Sequence, residues 1–224
     1  MIKIIAHRGN GKHKYKENTK EALNYSLKQN YIDGVELDIR MTKDKKIVII
    51  HDPIIDMVSD GIGLVNKITL KKIKKYNFGS KDNPSKICTL NSFLKHLKTN
   101  KKIVIEIKWE YGDFKEYVYL INKIVSKYKK LNIYLISFNY KLLKYLKTNY
   151  PCNKVGILIG KIINKKYINN IFDINLYSSI LLNEIKFDKE IMIWNIRNKN
   201  KLKKIPNSEF DINIITNESY LFTH

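Results

Sequence analysis

Eight short apolar runs recur along the chain, most of them separated by a stretch with helical spacing, and this alternation restricts the fold more than any other feature. Strands are expected at about 2–6, 33–39, 102–108, 133–138, 155–159, 176–182, 191–195 and 212–216. Helices are expected after residue 19 and over 69–76, 89–99, 113–129, 140–149, 164–172 and 199–205, with only a faint signal between 182 and 191. Asn18, three residues before Glu21, has the pattern of a helix N-cap. Strand–helix alternation implies a parallel sheet, and eight units close it into a barrel. The expected fold is α/β: a (β/α)8 TIM barrel with a β-hairpin extension after the second strand. No Pro/Gly/Ser-rich linker interrupts the chain, so residues 1–224 read as one domain.

The hairpin follows from chain length. About eight residues separate Asp38 from the apolar run at 47–50, and a parallel crossover needs about a dozen or more. If Asp44-Lys45 forms a two-residue turn, Lys43 faces Lys46 and Asp38 faces His51. Opposed residues share a face, so this register carries His51 to the side of Asp38. A slip of one residue turns it away.

Period-two alternation then sorts the strand residues. Val35, Leu37 and Ile39 share one face, and Glu36 and Asp38 the other. Ile103, Ile105 and Ile107 share one face, and Val104, Glu106 and Lys108 the other. His7-Arg8 closes the first strand. A barrel turns the apolar sets toward its helices and the polar sets inward near the rim where strands end. Charges buried there need partners or a metal. Glu36, Asp38 and Glu106 offer hard oxygen ligands, which suit Mg2+ or Ca2+. Arg8 and Lys108 suit a phosphate, and His7 and His51 can serve as acid and base on opposite sides of its phosphorus. The same carboxylates could instead form a salt-bridge network with Arg8 and Lys108. Ser137, His13, His96 and His224 read as structural or surface residues.

Composition enters as a test of this reading. The formal net charge is +21, which attracts polyanions. Yet lysine supplies nearly all of it, the arginines being Arg8, Arg40 and Arg197, and the lysines are spread along the chain. Biased residue usage accounts for that pattern, so no nucleic-acid partner is expected. Cys88 and Cys152 form neither a metal spacing nor a disulfide framework, which fits a reducing compartment. No run approaches the roughly 18 apolar residues of a membrane span. The expected location is the cytoplasm.

Several motifs together resemble one family. HRG at 7–9, ENT at 17–19, ELD at 36–38, HD at 51–52 and EIK at 106–108 are similar to those of the glycerophosphodiester phosphodiesterases. The likeness continues in CTLNSFL at 88–94, SF at 137–138, WNI at 194–196 and NIITN at 213–217. The resemblance implies a barrel of the phosphatidylinositol-phosphodiesterase type and a divalent metal, Mg2+ or Ca2+. It also implies hydrolysis of a small glycerophosphodiester to an alcohol and sn-glycerol 3-phosphate. Under it Glu36, Asp38 and Glu106 hold the metal, His7 and His51 are the catalytic pair, and Arg8 and Lys108 bind phosphate. Glu17 and Asp52 are supporting residues, and Trp194 lines the glycerol side. Three positions depart from the family pattern: Asp44-Lys45 in the hairpin turn, Asn195-Ile196-Arg197 after Trp194, and Asn217, where the family usually has Asp. These departures bear on the substrate end of the site. Two other readings stay open: a lysophospholipase D or sphingomyelinase D-like phosphodiesterase, and a non-catalytic anion- or nucleic-acid-binding barrel.

Overall fold

The computed structural model describes residues 1–10, 14–109, 113–160, 171–185 and 190–219. Nine strands follow in chain order: β1 (Ile2–Ala6), β2 (Gly34–Met41), β3 (Ile47–Ile49), β4 (Lys102–Ile107), β5 (Asn132–Ser137), β6 (Lys154–Ile159), β7 (Ile174–Ser178), β8 (Ile191–Trp194) and β9 (Ile212–Thr216). Eight of them form a parallel sheet that closes on itself, because β1 pairs with both β9 and β2. The strand β3 lies antiparallel on β2, outside the closed ring. The expected (β/α)8 barrel with a hairpin after its second strand is therefore the observed fold.

The described helices are α1 (Lys20–Leu27), α2 (Leu70–Ile73), α3 (Leu90–Lys95), α4 (Lys115–Val125), α5 (Tyr140–Asn149) and α6 (Lys199–Leu202). In α4 the buried residues Tyr117, Val118, Ile121 and Val125 recur at helical spacing and press that face onto the barrel. The Tyr117 hydroxyl donates to the Ile39 carbonyl at 2.8 Å, fixing α4 to β2 where that strand leaves the ring. The helix expected over 164–172 lies mostly outside the described residues, as do 186–189 in the weakly marked link before β8. The strand expected at 176–182 is two elements. β7 ends at Ser178, whose side chain caps a short 3-10 turn over Ser179–Glu184.

Alternation divides the apolar residues as expected. Val35, Leu37, Ile39, Ile103, Ile105 and Ile107 belong to the core between barrel and helices. A second core fills the ring with Ile5, Val104, Ile136, Leu158, Leu176 and Met192 among others. A third lies under the chain from Val48 to Ile87. Register places the acidic residues. Asp38 is the direct neighbour of Glu106 across β2 and β4, and Glu36 lies one inward position below it, beside Val104.

The hairpin register differs by one residue from the expected one. Ile39 faces Ile49 and Met41 faces Ile47, so Asp38 lies opposite Ile50 and not His51. A two-residue turn of the favoured kind needs positive φ at its first central residue or at both. Here Lys45 alone has it, at 59°. Thr42 and Lys46 instead close a three-residue loop, the Lys45 amide donating to the Thr42 carbonyl at 3.0 Å. Asp44 is the second central residue of that turn. Its Oδ1 accepts from the Thr42 hydroxyl at 2.7 Å and from the Leu70 amide at 2.8 Å, which ties the loop to α2.

Candidate active site

The site is assembled at the C-terminal ends of β1, β2 and β4, the end at which barrels of this class place their chemistry. β1 runs directly into a tight turn over His7–Gly9. Arg8 there has φ 53° and Gly9 has φ 61°. A Cβ at Gly9 would meet the Leu23 backbone at 2.7 Å, so only glycine lets the turn pack on α1. The turn aims the Arg8 amide at Glu36 Oε2, at 3.0 Å, and the Arg8 Nε at Asp38 Oδ2, at 3.2 Å. The Arg8 guanidinium also donates to Glu17 Oε2 at 3.1 Å. Lys108 reaches Glu106 Oε1 at 2.7 Å and Asp38 Oδ1 at 3.1 Å.

Glu36, Asp38 and Glu106 are buried, and each contributes an oxygen to a group in which all lie within 4.8 Å of one another. Burial, then the charges of Asp38 and Glu106, raise the Glu36 carboxyl well above its ordinary value. Burial and Asp38 push Glu106 up to about 7 against the opposing pull of Lys108. Burial would raise Asp38 as well, but Lys108 and Arg8 outweigh it and hold that carboxyl below its ordinary value. Asp38 is thus the most firmly ionised of the three.

The structure tests whether a cation fits. Glu36 Oε1 is buried and has no hydrogen-bond partner. A buried unpaired carboxylate oxygen is costly. A hard divalent cation among three carboxylates would satisfy it and relieve the repulsion that raises Glu36 and Glu106.

His7 Nδ1 lies 2.6 Å from Asn217 Oδ1. An amide oxygen only accepts, so Nδ1 carries the proton and Nε2 is left with a lone pair. That Nε2 is 3.7 Å from Glu36 Oε2. Burial, then the Arg8 charge, lower the His7 pKa below 6.5, so the ring is neutral at neutral pH. Asn217 therefore touches one of the two histidines, whereas its departure from the family pattern suggested an effect at the substrate end alone. It lies 210 positions from His7 in the chain, and only closure of β9 onto β1 makes them neighbours.

His51 reaches the site despite the shifted register. The last bond to β2 is that of the Ile50 amide to the Asp38 carbonyl, at 2.9 Å, so alternation no longer governs the residues beyond. The Arg40 Nε donates to the His51 carbonyl at 2.6 Å and holds that bend. The His51 Nδ1 is 2.8 Å from Asp52 Oδ1. A cavity of about 220 Å³ opens beside the acidic group, lined by Arg8, Glu17, Asn18, His51 and Asp52 with Met57, Val58 and Phe78 among its apolar wall. Trp194 is set apart from it. It ends β8 on the inner face of the ring and meets Phe138 edge to face, with ring centroids 5.6 Å apart. Ser137 donates to the Ile107 carbonyl at 2.8 Å, a structural contact as expected.

Two residues have roles that differ from or exceed the sequence expectation. Asn18 is not the cap of α1; the Thr19 side chain takes that place by accepting from the Ala22 amide. Asn18 has φ 58° and clasps Asp38 with two bonds. Its Nδ2 donates to Asp38 Oδ2 at 2.9 Å, and its Oδ1 accepts from the Asp38 amide at 3.1 Å. Arg40 is the other: it continues the inward Glu36, Asp38 alternation, which is its signal in the sequence, and it is 8% exposed.

The model of the glycerophosphoryl diester phosphodiesterase family matches residues 7–169. A glycerophosphodiester phosphodiesterase of Caldanaerobacter subterraneus subsp. tengcongensis is 33% identical over 163 residues, 69% of this chain and 65% of the relative. One from Bacillus altitudinis is 40% identical over 75 residues, 34% of this chain and 30% of the relative. The chain thus spans less than two thirds of either relative's length. Among solved structures, a phosphodiesterase of Oleispira antarctica in complex with the product sn-glycerol-3-phosphate superposes with a TM-score of 0.86 at 20% identity, covering 98% of this chain and 94% of the other. A glycerophosphodiester phosphodiesterase of Thermotoga maritima does so with 0.78 at 23% identity, covering 99% and 97%. At these identities the structural likeness speaks for the fold.

Proposed function

This chain belongs to the glycerophosphoryl diester phosphodiesterase family, and from that premise we propose that it hydrolyses glycerophosphodiesters to an alcohol and sn-glycerol 3-phosphate. The observation that carries the reading is the buried group Glu36, Asp38 and Glu106 with Arg8 and Lys108 against it. We propose that the three carboxylates hold Mg2+ or Ca2+, and that residues 1–224 act as one domain. Bound there, the cation would supply Lewis-acid polarisation of a phosphate oxygen.

The chain's own residues divide the remaining work. Arg8 and Lys108 supply fixed positive charge for the phosphate oxygens. His7, neutral and with its Nδ1 proton directed at Asn217, takes the proton of the nucleophile on Nε2. That nucleophile is the glycerol 2-hydroxyl, giving a cyclic phosphate that water opens, or water itself. His51, with Asp52 fixing its Nδ1 proton, delivers a proton from Nε2 to the leaving alkoxide. Glu17 steadies Arg8, and Trp194 forms part of the glycerol side. Unpaired cysteines, buried Cys88 and exposed Cys152, support the cytoplasm as its place of action. Among the described residues no helix is long and apolar enough to cross a membrane.

The test is hydrolysis of glycerophosphocholine with and without a chelator. Turnover is expected to vanish on chelation and to return with excess Mg2+ or Ca2+. Turnover indifferent to chelation would overturn the metal-dependent reading. The apolar wall of Met57, Val58 and Phe78 favours a second reading, in which the alcohol side carries an acyl chain. Faster release of choline from lysophosphatidylcholine than from glycerophosphocholine would select it.

Stability offers a separate check on the cation. The folded value of Glu106, about 7, lies above its ordinary 4.5. Its contribution to stability is therefore full below about pH 4.5 and is lost as pH rises through about 7. In chelator, the melting temperature is expected to fall between about pH 5 and pH 7. A cation replaces the lost protons, so the rise in melting temperature on adding Mg2+ or Ca2+ should be larger at the higher pH. A gain that does not grow with pH would count against binding at this group.

A further inference from the structure

The chain from Pro53 to Lys75 leaves apolar side chains in solvent beside the cavity. Ten large hydrophobic residues are substantially exposed among the described residues, and four fall within 54–64: Ile54, Met57, Ile62 and Leu64. Met57 and Ile62 are 79% and 77% exposed. Scattered single exposures need no explanation, but a cluster does. The cluster is also held in shape. Ile54 and Leu64 face each other across an antiparallel bridge, and Ile55 and Val65 anchor the base in the core beneath. The Gly63 amide donates to Asp56 Oδ1 at 2.7 Å, and the Asn77 amide to Asp60 Oδ1 at 2.7 Å. The tip is a built protrusion that presents aliphatic groups.

Charge accompanies it. Residues 54–81 contain six lysines against Asp56 and Asp60, each of which accepts from a backbone amide. Lys67, Lys71, Lys72, Lys74 and Lys75 are exposed, and among the described residues none has an ion-pair partner. Packing brings these charges under the tip. Gly61 lies so close to the Tyr76 ring that a Cβ would not fit, and Gly63 packs toward the Ile68 side chain, so Ile62 sits over the segment that contains α2. The general +21 surplus is spread along the sequence, but here a cluster of exposed lysines adjoins the aliphatic tip.

We propose that this face docks on an anionic lipid bilayer, with Ile54, Ile62 and Leu64 entering the headgroup boundary and the α2 lysines on the lipid phosphates. An apolar insertion and a basic patch are the two signals that together give stable surface binding. The pairing favours a bilayer over nucleic acid, because the protruding side chains are aliphatic and offer no ring for bases to stack on. Met57 and Val58 belong both to the protrusion and to the cavity wall that includes His51 and Asp52. A bilayer at this face therefore lies against the mouth of the cavity. The inference goes beyond the hydrolytic reading and does not rest on it, because vesicle binding is measured without turnover.

The test is flotation of the full chain with phosphatidylcholine vesicles, with and without phosphatidylglycerol. Binding is expected only to the anionic vesicles. Ile62→Asp should weaken it several-fold, and the double variant K71E/K72E by roughly tenfold or more. The control is K129E/K130E, which reverses two exposed lysines beyond the end of α4, near the N-terminal ends of the strands. It should bind within about twofold of wild type. Circular dichroism melts of all three variants check that each is folded. Equal losses in the two lysine pairs would overturn the proposal in favour of attraction by net charge. So would unchanged binding of folded Ile62→Asp, or equal binding to neutral and anionic vesicles. A preference for single-stranded DNA over anionic vesicles, lost in K71E/K72E, would also overturn it and assign the face to nucleic acid.

Discussion

A His51→Ala variant is expected to hydrolyse glycerophosphocholine roughly 10²–10⁴ times more slowly than wild type, the usual worth of a positioned general acid or base. Its fold should be nearly unaffected. The His51 side chain is 33% exposed and its ring is bonded to the neighbouring Asp52, so truncation leaves no buried group unpaired. The two histidines can be told apart by the leaving group. A protonating residue matters less when the leaving alcohol is acidic, as in a p-nitrophenyl ester. The defect of His51→Ala should therefore shrink on such a substrate, and that of His7→Ala should not. Equal rescue of both variants would remove the assignment of acid and base. Turnover within tenfold of wild type for both would remove the two-histidine mechanism altogether.

Asp38→Asn is expected to abolish detectable turnover and to destabilise the protein as well. Asp38 is fully buried and lies against Arg8, Lys108 and Asn18. Removing one partner of a buried pair commonly costs about 3–5 kcal/mol. Here Glu17 still pairs with Arg8 and Glu106 with Lys108, and Glu106 loses a repulsive neighbour. A loss of about 2–3 kcal/mol in urea unfolding is the expected balance. Because Asp38 is held ionised by Lys108 and Arg8, the variant should also lose most of the Mg2+- or Ca2+-induced rise in melting temperature. A variant of wild-type stability that still responds to the cation would show that Asp38 is neither the charge anchor nor a ligand.

Much of this site could be read from local sequence. The inward position of Glu36, Asp38, Glu106 and Lys108 follows from a two-residue period, which is fixed by backbone geometry wherever a strand exists. The position of His7-Arg8 follows from where the first apolar run stops. Arg40 is equally legible as the next inward residue. His51 illustrates the reverse. A two-residue turn would set it opposite Asp38, but the register is off by one residue from that, and it reaches the cavity because pairing ends before it and Arg40 holds its carbonyl.

The sequence by itself determined the barrel, the hairpin and the identity of the charged set, because alternation and strand spacing are local consequences of backbone periodicity. Tertiary structure alone decided which polar atom meets which. Thr19 and Asn18 are adjacent and both suited to capping, and only the approach of β2 gives Asn18 to Asp38 and leaves the cap to Thr19. Asn217 meets His7 because the last strand closes on the first. Exposure of Met57 and Ile62 likewise depends on what packs around them. Such partners are set by ring closure, strand register and packing between distant segments, and no local pattern in the chain encodes those distances.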